Sequence, residues 1–414
     1  MNSDAENSDA ANTNVANSGS GHRASVIVVS RHRAAALVCC LQALMQQDHR
    51  RFEVIVVADP DGCAAARDFP VRIAGFDMAN ISAARNIGLA MAAADVVAFI
   101  DDDAVAEPTW LSRLSAAFDD ESVLASTGFV RGRNGISWQW KASEVDAFGQ
   151  DHPFEVPESG SVHANSTGRA VKTQGTNCAF RREALLAIGG FDPAFRFYLD
   201  EADVNLRLGG RTAVVPSAQV HHGFAASSLR RADRVPLSLH DIAASTAVFL
   251  RRHAKGAVDA TALRASQTAR VAALRISTEE KAALIGSLEA GWADGMTRDL
   301  RRLNPIQAAA DADFRPIPNT GPKPGLVLSG HRWSRARLRR QAVAAAGAGK
   351  IVTVFCWSLT ARYHRMSYDP RGFWWQEGGL FGRSERGEPL FRFVRFNQRV
   401  ARESRRLDGL RPLE

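Results

Sequence analysis

The sequence contains no long hydrophobic run. No stretch approaches the ~18 apolar residues of a membrane-spanning helix, and residues 1–21, rich in Asn, Ser, Ala and Asp, lack the apolar centre of a signal peptide. Residues 1–22 contain too few hydrophobic side chains to bury a core, so we expect a disordered N-terminal segment there. These absences predict a cytoplasmic protein.

Cysteine is scarce, and its spacing fits neither a zinc site nor a disulfide framework. The chain has five cysteines, an odd number, at positions 39, 40, 63, 178 and 356. We therefore expect free thiols in a reducing compartment.

Positive charge is concentrated near the C-terminus. The whole chain carries a net charge of +8, whereas residues 315–414 alone contain 20 Lys and Arg against 7 Asp and Glu. Such a region can contact anionic lipid, a phosphorylated molecule or nucleic acid, and it can equally be a solvated, arginine-rich surface. The sequence leaves these alternatives open.

The hydrophobic pattern of the N-terminal part is typical of a parallel α/β fold. Short β-branched runs predict buried strands, and stretches with helical spacing predict helices between them. We expect strands at 25–30, 52–57 and 96–100, helices at 34–47 and 81–93, and a turn at 58–62. Strand, helix and strand joined by short connections form a βαβ unit with parallel strands.

Polar side chains directly follow these three strands. Ser30-Arg31 ends the first, Asp59 the second, and Asp101-Asp102-Asp103 the third. Ligands of parallel α/β sheets bind beyond the carboxyl ends of the strands, and three adjacent carboxylates repel one another unless a cation or hydrogen-bond donors compensate. Mg²⁺ and Mn²⁺ prefer carboxylate oxygens and are often shared with phosphates. The cluster therefore predicts a divalent-cation site, with an acidic helix-capping turn as the alternative.

Six short motifs in a fixed order resemble the family 2 inverting glycosyltransferases, whose catalytic domain has the GT-A fold. They lie between residues 25 and 223 and comprise Ser30-Arg31 after the first strand, the strand end at 56–59, Ala84-Arg85-Asn86-Ile87-Gly88, Phe99 to Asp103, Gly189-Gly190-Phe191-Asp192 with Asp200-Glu201-Ala202-Asp203, and Pro216-Ser217-Ala218 leading to His221-His222. The resemblance implies an α/β architecture with a Rossmann-like mixed, mainly parallel sheet flanked by helices.

The resemblance also implies a nucleotide-sugar donor. It places the following residues around the donor nucleotide: Ser30, Arg31, Asp59, Arg85, Asp101 and Asp102. Asp59 resembles the family carboxylate that contacts the base, although Ala58 stands where many relatives have a second Asp. From the residues alone, Asp59 could also be a turn residue and Arg85 one half of an ion pair on a helix surface.

A metal ion is implied by the same comparison. Asp101 and Asp103 match the family's Asp-x-Asp motif, and His222 matches a metal-ligating histidine of some members, so the resemblance implies Mn²⁺ or Mg²⁺ as cofactor. A lone histidine is usually structural, which leaves that alternative open for His222.

The second acidic group contains the candidate general base. An inverting transfer needs a carboxylate that accepts the proton of the attacking hydroxyl. Matching Asp203 and Arg207 to the family places Glu201 at the base position. Asp200 is its competitor, because the family usually has Glu-Asp here. We expect the aromatic run at 195–198 to raise the pKa of this carboxylate, and we expect Asp203 to be a structural carboxylate near the helix N-terminus.

The expected organisation has four parts. Residues 1–22 are the disordered segment, 23–254 the GT-A domain, 255–315 a helical extension, and 316–414 a basic, aromatic-rich region of unknown role with a Pro/Gly-rich linker at 316–325 and a strand at 350–357. The C-terminal extension as a whole is expected to be largely helical and basic. Its stretch 372–383, dense in aromatics and glycine, can stack on sugar rings or be buried against the catalytic domain.

Together these features predict a metal-dependent inverting glycosyltransferase that moves a sugar from a nucleotide diphosphate donor to a hydroxyl of a saccharide or lipid-linked acceptor. The Gln-x-x-Arg-Trp signature of processive members is absent from the sequence, which favours single additions. We expect peripheral contact with the inner face of the membrane through the basic C-terminal region, and no nucleic-acid partner.

Two alternatives belong to other classes of protein. A haloacid-dehalogenase-like phosphatase would use Asp101 as nucleophile, because Asp101-Asp102-Asp103 follows an apolar strand. A basic nucleic-acid-binding protein would use the arginines between 332 and 340.

Overall fold

The structure is a computed structural model that describes residues 21–223, 231, 233, 235–256, 258–309 and 313–413. The predicted disordered segment at residues 1–22 lies almost entirely outside these ranges. Within them, no helix is long and apolar enough to cross a membrane. The five cysteines are free thiols, as predicted.

Thirteen strands of the described chain precede residue 223 and form two sheets. Their bounds are β1 (Ala24–Ser30), β2 (Phe52–Ala58), β3 (Arg72–Gly75), β4 (Val96–Asp101), β5 (Ala104–Ala106), β6 (Val123–Arg131), β7 (Trp138–Trp140), β8 (Ser143–Asp146), β9 (Asp151–Pro153), β10 (Ser161–Ala164), β11 (Arg169–Val171), β12 (Cys178–Arg181) and β13 (Arg211–His222). The helices among them, with one that follows, are α1 (Ala34–Leu44), α2 (Pro60–Ala66), α3 (Ile81–Met91), α4 (Trp110–Ala116), the 3₁₀ helix η1 (Ala117–Asp119), α5 (Arg182–Ala187), α6 (Asp200–Leu208) and α7 (His240–His253).

The larger sheet is mixed and mainly parallel. Its strand order is β10-β13-β6-β12-β4-β1-β2-β3, with β5 paired to β13 and β7 to β6. Strand β1 is parallel to β2 and β4, and β13 is parallel to β6, whereas β12 runs antiparallel to both of its neighbours. The predicted fold class is thereby confirmed. Strands β11, β8 and β9 form a small separate sheet.

Both faces of the larger sheet are covered because successive residues of a strand point to opposite sides. Val26 and Val28 of β1 lie in one core with Leu41 of α1, and Ile27 lies in the other core with Leu89 of α3. Gly88 permits the close approach of α3 to β1, since a Cβ at this position would lie 2.5 Å from the Ile27 side chain.

The predicted elements of this part differ from the observed ones mainly at their ends. The strands agree to within about one residue, while the helices at 34–47 and 81–93 end earlier, at Leu44 and Met91. The predicted turn at 58–62 is wrong. Asp59 is the N-cap residue of α2 and Pro60 its first residue, a position where proline is favoured because its missing N–H needs no partner there.

The C-terminal part contains helices and a second sheet. Helices α8 (Thr261–Ala272) and α9 (Thr278–Thr297) follow α7, as expected for the helical extension. The next elements are β14 (Gly325–His331), the 3₁₀ helix η2 (Arg332–Ser334), α10 (Arg335–Gly347), β15 (Ile351–Ser358), β16 (Arg365–Asp369), β17 (Phe373–Gly379) and α11 (Phe396–Arg405). The strands form a sheet of order β14-β15-β17-β16. The sequence predicted only β15, because glycine and polar residues interrupt the apolar pattern of the other strands.

The segment that joins the two sheets is packed against the first part of the chain. It includes the predicted linker at 316–325. The Ile317 N–H donates to the Phe52 carbonyl at 2.8 Å, and the Lys323 ammonium donates to the Met45 carbonyl at 2.8 Å. Ile317 is buried in the core beside β2. The linker is therefore held along its length.

A buried ion pair also connects the two parts. Arg411 donates to both carboxylate oxygens of Glu107, at 2.6 and 2.9 Å, and its guanidinium lies 3.9 Å from the centre of the Trp374 ring. Burial by itself would raise the pKa of Glu107, but Arg411 and His221 outweigh it and lower that pKa to about 2. The chain near its C-terminus is thus anchored to the loop that precedes α4.

Candidate active site

The polar residues that follow β1, β2 and β4 meet at one edge of the larger sheet. The strands are parallel and in register, with Ser30 opposite Ala58 and Val29 opposite Asp101. Their carboxyl ends therefore lie side by side, as predicted from the order of elements.

Asp101, Asp103 and His222 form a group that can hold a metal ion. Their ligand atoms all lie within 4.8 Å of one another, and His222 Nε2 is 3.2 Å from Asp103 Oδ1 and 4.0 Å from Asp101 Oδ2. The end of β13 brings the histidine there, because His222 pairs with Ala104 of β5. Two carboxylates and one imidazole form a donor set that suits Mn²⁺ and is compatible with Mg²⁺.

Two residues of β7 support the histidine of this group. The His222 Nδ1 lies 3.3 Å from the Gln139 side-chain oxygen, and the Trp140 ring stacks on the imidazole at 5.6 Å. An Nδ1–H that donates to Gln139 leaves the Nε2 lone pair directed at the carboxylate pair, which is the arrangement of a metal-ligating histidine.

Asp102 points away from its two neighbours into the protein. It accepts a hydrogen bond from the Ser30 hydroxyl at 2.7 Å and forms an ion pair with Arg33, whose Nε lies 3.0 Å away. Burial raises the pKa of Asp102 to about 7, although Arg33 opposes this shift. The structure thus brings the predicted donor residues Ser30 and Asp102 together, and their polar atoms bond to each other.

Asp59 and Arg31 lie at the ends of β2 and β1. The buried Asp59 accepts a hydrogen bond from the His32 backbone N–H at 3.0 Å, and its other oxygen is 3.4 Å from His32 Nδ1. Arg31 donates to Asp77 at 2.9 Å near the surface. His32 has a left-handed backbone, with φ of 57°, so the chain turns sharply where these groups meet. Their contact with a donor base is a prediction that the structure does not test.

Arg85 links the two acidic groups that the sequence keeps far apart. This buried side chain pairs with Asp200, donates to the Gly175 carbonyl at 3.1 Å and lies 3.5 Å from Asp101. Burial alone would lower the pKa of Arg85, but the carboxylates, Asp200 foremost, outweigh it and raise the pKa. The alternative of an ion pair on a helix surface is therefore wrong.

Asp200 and Glu201 begin α6. The two residues before them, Tyr198 and Leu199, have left-handed backbones with φ of 74° and 62°, a conformation that costs about 1–3 kcal/mol each for non-glycine residues and that occurs often at functional sites. This turn directs Asp200 into the interior and leaves Glu201 partly exposed.

The two carboxyl groups differ in their pKa shifts. Burial raises the pKa of Asp200 despite its pairing with Arg85. Burial also disfavours the Glu201 carboxylate. The charge of Arg85, a hydrogen bond with Asp200 and the charge of Lys172 together outweigh burial and lower the pKa of Glu201. The expectation that the aromatic run would raise the pKa of Glu201 is wrong. Phe195 of that run is buried beside Phe249.

Other residues that the sequence brought forward have structural roles. Asp203 is buried and pairs with Arg207 at 2.7 Å and with His253 at 2.9 Å, which confirms a structural carboxylate. His221 lies 2.8 Å from Glu107. The aromatic side chains Trp374 and Trp375 of the 372–383 stretch are buried in the second sheet.

Sequence reasoning missed several residues of the site. Arg33 pairs with Asp102 and lies 3.3 Å from Asp103, while Gln139 and Trp140 support His222. The rule that ligand-binding residues follow the ends of parallel strands could have found Arg33, because it lies three residues beyond β1. No sequence pattern marks Gln139 and Trp140 of β7 as site residues, because only tertiary strand pairing brings them to the site.

The second sheet forms one wall of the site. A cavity of about 250 Å³ lies beside the metal group and is lined by Asp103 and His222 on one side and by Arg365, Met366 and Tyr368 on the other. The β16 strand supplies these latter residues, so the C-terminal part closes the edge of the sheet where the acidic cluster lies.

Comparison with known proteins finds similarity in the N-terminal part of the chain. Residues 25–189 match the family model described as glycosyl transferase family 2. The chain is 24% identical over 180 residues to a glucosyl-dolichyl phosphate glucuronosyltransferase of Haloferax volcanii, covering 41% of this chain and 56% of that protein. It is 29% identical over 222 residues to a pre-mycofactocin glycosyltransferase of Mycobacterium tuberculosis, covering 50% of this chain and 44% of that protein.

The matches are partial. The chain spans about half the length of these curated relatives. Among solved structures, a mannosyltransferase from Pyrobaculum calidifontis in complex with GDP-Man and Mn²⁺ aligns with a TM-score of 0.41 and 17% identity, covering 67% of this chain and 87% of that one.

Proposed function

We propose that the protein is a metal-dependent inverting glycosyltransferase, on the premise that residues 25–189 match the glycosyl transferase family 2 model. It moves a sugar from a nucleotide diphosphate donor to a hydroxyl of a saccharide or lipid-linked acceptor, one sugar at a time. The observation that carries the proposal is the convergence of Asp101, Asp103 and His222 with the Arg85–Asp200–Glu201 group at one edge of the sheet.

The metal group supports binding of the donor diphosphate. Asp101, Asp103 and His222 would hold Mn²⁺ or Mg²⁺, and such an ion supplies positive charge that stabilises a leaving phosphate. Arg33 lies 3.3 Å from Asp103 and keeps the buried Asp102 paired, so the two carboxylates needed for the ion stay directed toward it. Asp59, which follows β2, and His32, just beyond β1, would contact the nucleotide.

Glu201 is the proposed base. Its lowered pKa keeps the carboxylate ionised at neutral pH, which is the state that accepts a proton from the attacking acceptor hydroxyl. Asp200 is held by Arg85 in the interior, so it supports the position of Glu201 at the start of α6. The proton then resides on the Glu201 carboxyl after the glycosidic bond has formed.

The acceptor approaches past the C-terminal part. The cavity between His222 and β16 places this part next to the metal group. The name of the Haloferax relative includes a glucosyl-dolichyl phosphate, a lipid-linked saccharide, and we place the acceptor of this chain in the same class. Such chemistry suits a role in polysaccharide biosynthesis.

A surface of the C-terminal part suits contact with the cytoplasmic face of a membrane. Leu390, Phe391 and Phe393 are 69, 58 and 80% exposed, and Arg392 and Arg395 lie among them. Exposed aromatic and aliphatic side chains interleaved with arginine insert at the interface of anionic bilayers. This surface, defined by residues 390–395, is the proposed peripheral membrane contact.

The alternative functions receive no support from the family match. A phosphatase would need Asp101 as nucleophile, whereas Asp101 lies between Arg85 and His222 in the metal group. The nucleic-acid-binding alternative rests on exposed arginines between 332 and 340, whereas the family match concerns residues 25–189 and gives that alternative no support.

The proposed function is tested by thermal shift against a panel of sugar nucleotides with and without Mn²⁺. We expect one donor to raise the melting temperature only when Mn²⁺ is present, and to be hydrolysed slowly without acceptor. Full activity in EDTA, or no stabilisation by any sugar nucleotide, would contradict the proposal.

A further inference from the structure

A second cavity opens at the carboxyl end of the parallel strands of the C-terminal sheet. Its volume is about 280 Å³, and its floor is formed by Cys356, Ser358 and Gly378 at the ends of β15 and β17. These strands and β14 run parallel in register. The edge is the one where α/β sheets bind their ligands.

Arginine dominates the walls of this cavity. In the described chain its lining contains four arginines and one acidic residue: Arg332, Arg335, Arg362, Arg365 and Glu377. We call this cavity the arginine pocket. Glu377 pairs with Arg335 at 3.2 Å, while Arg332, Arg362 and Arg365 form no ion pair with any residue the structure describes.

Three uncompensated guanidinium groups around one cavity repel one another, so an anion in the cavity would stabilise the arrangement. The planar fork of arginine matches the oxygens of phosphate and carboxylate groups in two-point hydrogen bonds. A doubly charged phosphate offsets more of this excess than a single carboxylate does.

Two further features favour a phosphate. Tyr363 lines the pocket, and its hydroxyl, which accepts a hydrogen bond from the Asn134 amide, can donate to a phosphate oxygen. The 13-residue helix α10 and the 3₁₀ turn before it begin at the pocket, so the positive end of the helix dipole adds to the arginine charge.

We propose that the arginine pocket binds a phosphate group. It is distinct from the metal group, yet Arg365 lines both the arginine pocket and the cavity beside His222. Tyr363 also bonds to Asn134 and Ser137 of the first part, both at 3.1 Å, which holds the two cavities in fixed relation. The phosphate therefore belongs to a molecule that extends toward the metal group, and we assign it to the acceptor.

The assignment to the acceptor rests on the proposed transferase function, whereas phosphate binding by the pocket does not. The phosphate can be carried by a membrane lipid or by a soluble sugar phosphate, because both present the same group.

The test is a calorimetric titration of the full-length protein with inorganic phosphate, in EDTA and at constant ionic strength so that the metal group does not contribute. The pocket variant is Arg332→Gln with Arg362→Gln. The control variant is Arg337→Gln with Arg340→Gln, which removes the same charge from the exposed side of α10. We expect saturable binding by the wild type and the control, and at least ~10-fold weaker binding by the pocket variant, since charged hydrogen bonds to each arginine are lost.

Equal weakening in both variants would show general attraction by the basic surface and would overturn the proposal, as would an absence of saturable binding by the wild type. Mn²⁺-dependent binding of UDP and GDP is measured on the same preparations. Phosphate binding without any nucleotide binding would contradict the proposed transferase and leave the pocket intact. Retained nucleotide binding with no phosphate binding would overturn only the pocket.

The source of the phosphate is resolved by competition. Vesicles of phosphatidylcholine with and without phosphatidic acid are compared with a soluble sugar 1-phosphate. A lipid source predicts that the pocket variant loses binding to the phosphatidic acid vesicles and that inorganic phosphate releases the wild type from them. A soluble source predicts that the sugar phosphate competes with inorganic phosphate while vesicle binding is unchanged in the variant.

Discussion

Arg85 pairs with Asp200 in the interior of the site, and the same guanidinium lies 3.5 Å from Asp101 of the metal group. One buried cation therefore connects the strand-end carboxylates with the start of α6. Arg85 also donates to the Gly175 carbonyl, so a single side chain on α3 bridges the metal group and the base region. Arg85 holds Asp200 and not Glu201, which is why we assign a positioning role to Asp200 and the role of base to Glu201.

Glu201→Gln should reduce turnover by ~10²–10⁴-fold, the usual cost of removing a general base, and leave affinity for the nucleoside diphosphate unchanged. Asp200→Asn should reduce turnover less but lower stability by up to ~3 kcal/mol, because it removes the nearest carboxylate partner of the buried Arg85 and leaves Asp101 as the remaining one. Single-turnover kinetics and chemical denaturation separate the two effects. An inactive Asp200→Asn beside an active Glu201→Gln would place the base one residue earlier. If both variants stay active, the base lies elsewhere.

The pH dependence of turnover provides an independent check. The pKa of Glu201 is lowered and that of Asp200 is raised. A base with a lowered pKa stays ionised as the pH falls, so the acid limb of kcat should lie below 4.5, the ordinary glutamate value. An acid limb displaced toward neutral pH would instead identify Asp200. Circular dichroism at each pH restricts the comparison to folded protein.

Removal of a metal ligand should affect nucleotide binding selectively. Asp103→Ala is expected to abolish the Mn²⁺-dependent part of nucleotide affinity while the melting temperature of the metal-free protein changes little. Gln139→Leu removes only the partner of His222 Nδ1 and should weaken Mn²⁺ binding by ~10–100-fold. Titration of Mn²⁺ into each variant measures the effect of each substitution. Unchanged Mn²⁺ dependence in Asp103→Ala would show that the carboxylates hold no metal.

The Glu107–Arg411 pair should make stability depend on pH in the acid range. The folded pKa of Glu107 is about 2, below its ordinary value of 4.5, so its contribution is present above pH 4.5 and is lost as the pH falls toward 2. The shift corresponds to about 3 kcal/mol. Denaturant unfolding at several pH values in this range gives the free energy of unfolding as a function of pH. This free energy should fall less steeply with decreasing pH in Glu107→Gln than in the wild type.

The same pair provides a matched comparison at neutral pH. Arg411→Met alone leaves the buried Glu107 carboxylate without its arginine partner, with His221 still beside it, and should lower the free energy of unfolding by ~3–5 kcal/mol. The double variant Glu107→Gln with Arg411→Met should recover part of this loss, because no charge then remains buried. A double variant less stable than Arg411→Met would show that the two residues do not act as a pair.

Membrane association is best tested by point substitution. Truncation before residue 316 would remove Arg411 and expose the core around Glu107, so it would confuse unfolding with loss of contact. Phe391→Ser with Phe393→Ser should reduce sedimentation with anionic vesicles, and added salt should weaken the remaining binding because exposed charges are screened over ~8 Å at physiological ionic strength. Met78→Ser, at an exposed position of the first part, is the control. Equal sedimentation of all three proteins would leave the 390–395 surface without a membrane role.

The sequence alone predicted the parallel centre of the larger sheet, β1, β2 and β4, and the location of the acidic cluster at its carboxyl end. Buried β-branched runs separated by helical spacing allow few arrangements other than parallel strands, and residues that directly follow such strands must share one edge. Ser30, Asp59 and Asp101 to Asp103 were therefore placed correctly without coordinates. His222 was predicted to join this group only from the resemblance to a family, because no local pattern distinguishes His222 from His221.

Only the tertiary structure decided how these groups are arranged. Arg31 and Arg33 are equivalent in sequence, yet one bonds to Asp77 near the surface and the other to Asp102 in the interior, because the left-handed turn at His32 separates them. The pKa shifts of Asp200 and Glu201 depend on which of the two adjacent residues is directed toward Arg85. The wall made by β16 depends on contacts with residues far away in the chain, such as the bond from the Met366 N–H to the Asn134 carbonyl. The arginine pocket depends on the pairing of β14, β15 and β17. Local propensity and strand order carry no information about such contacts, because these contacts form only in the folded tertiary structure.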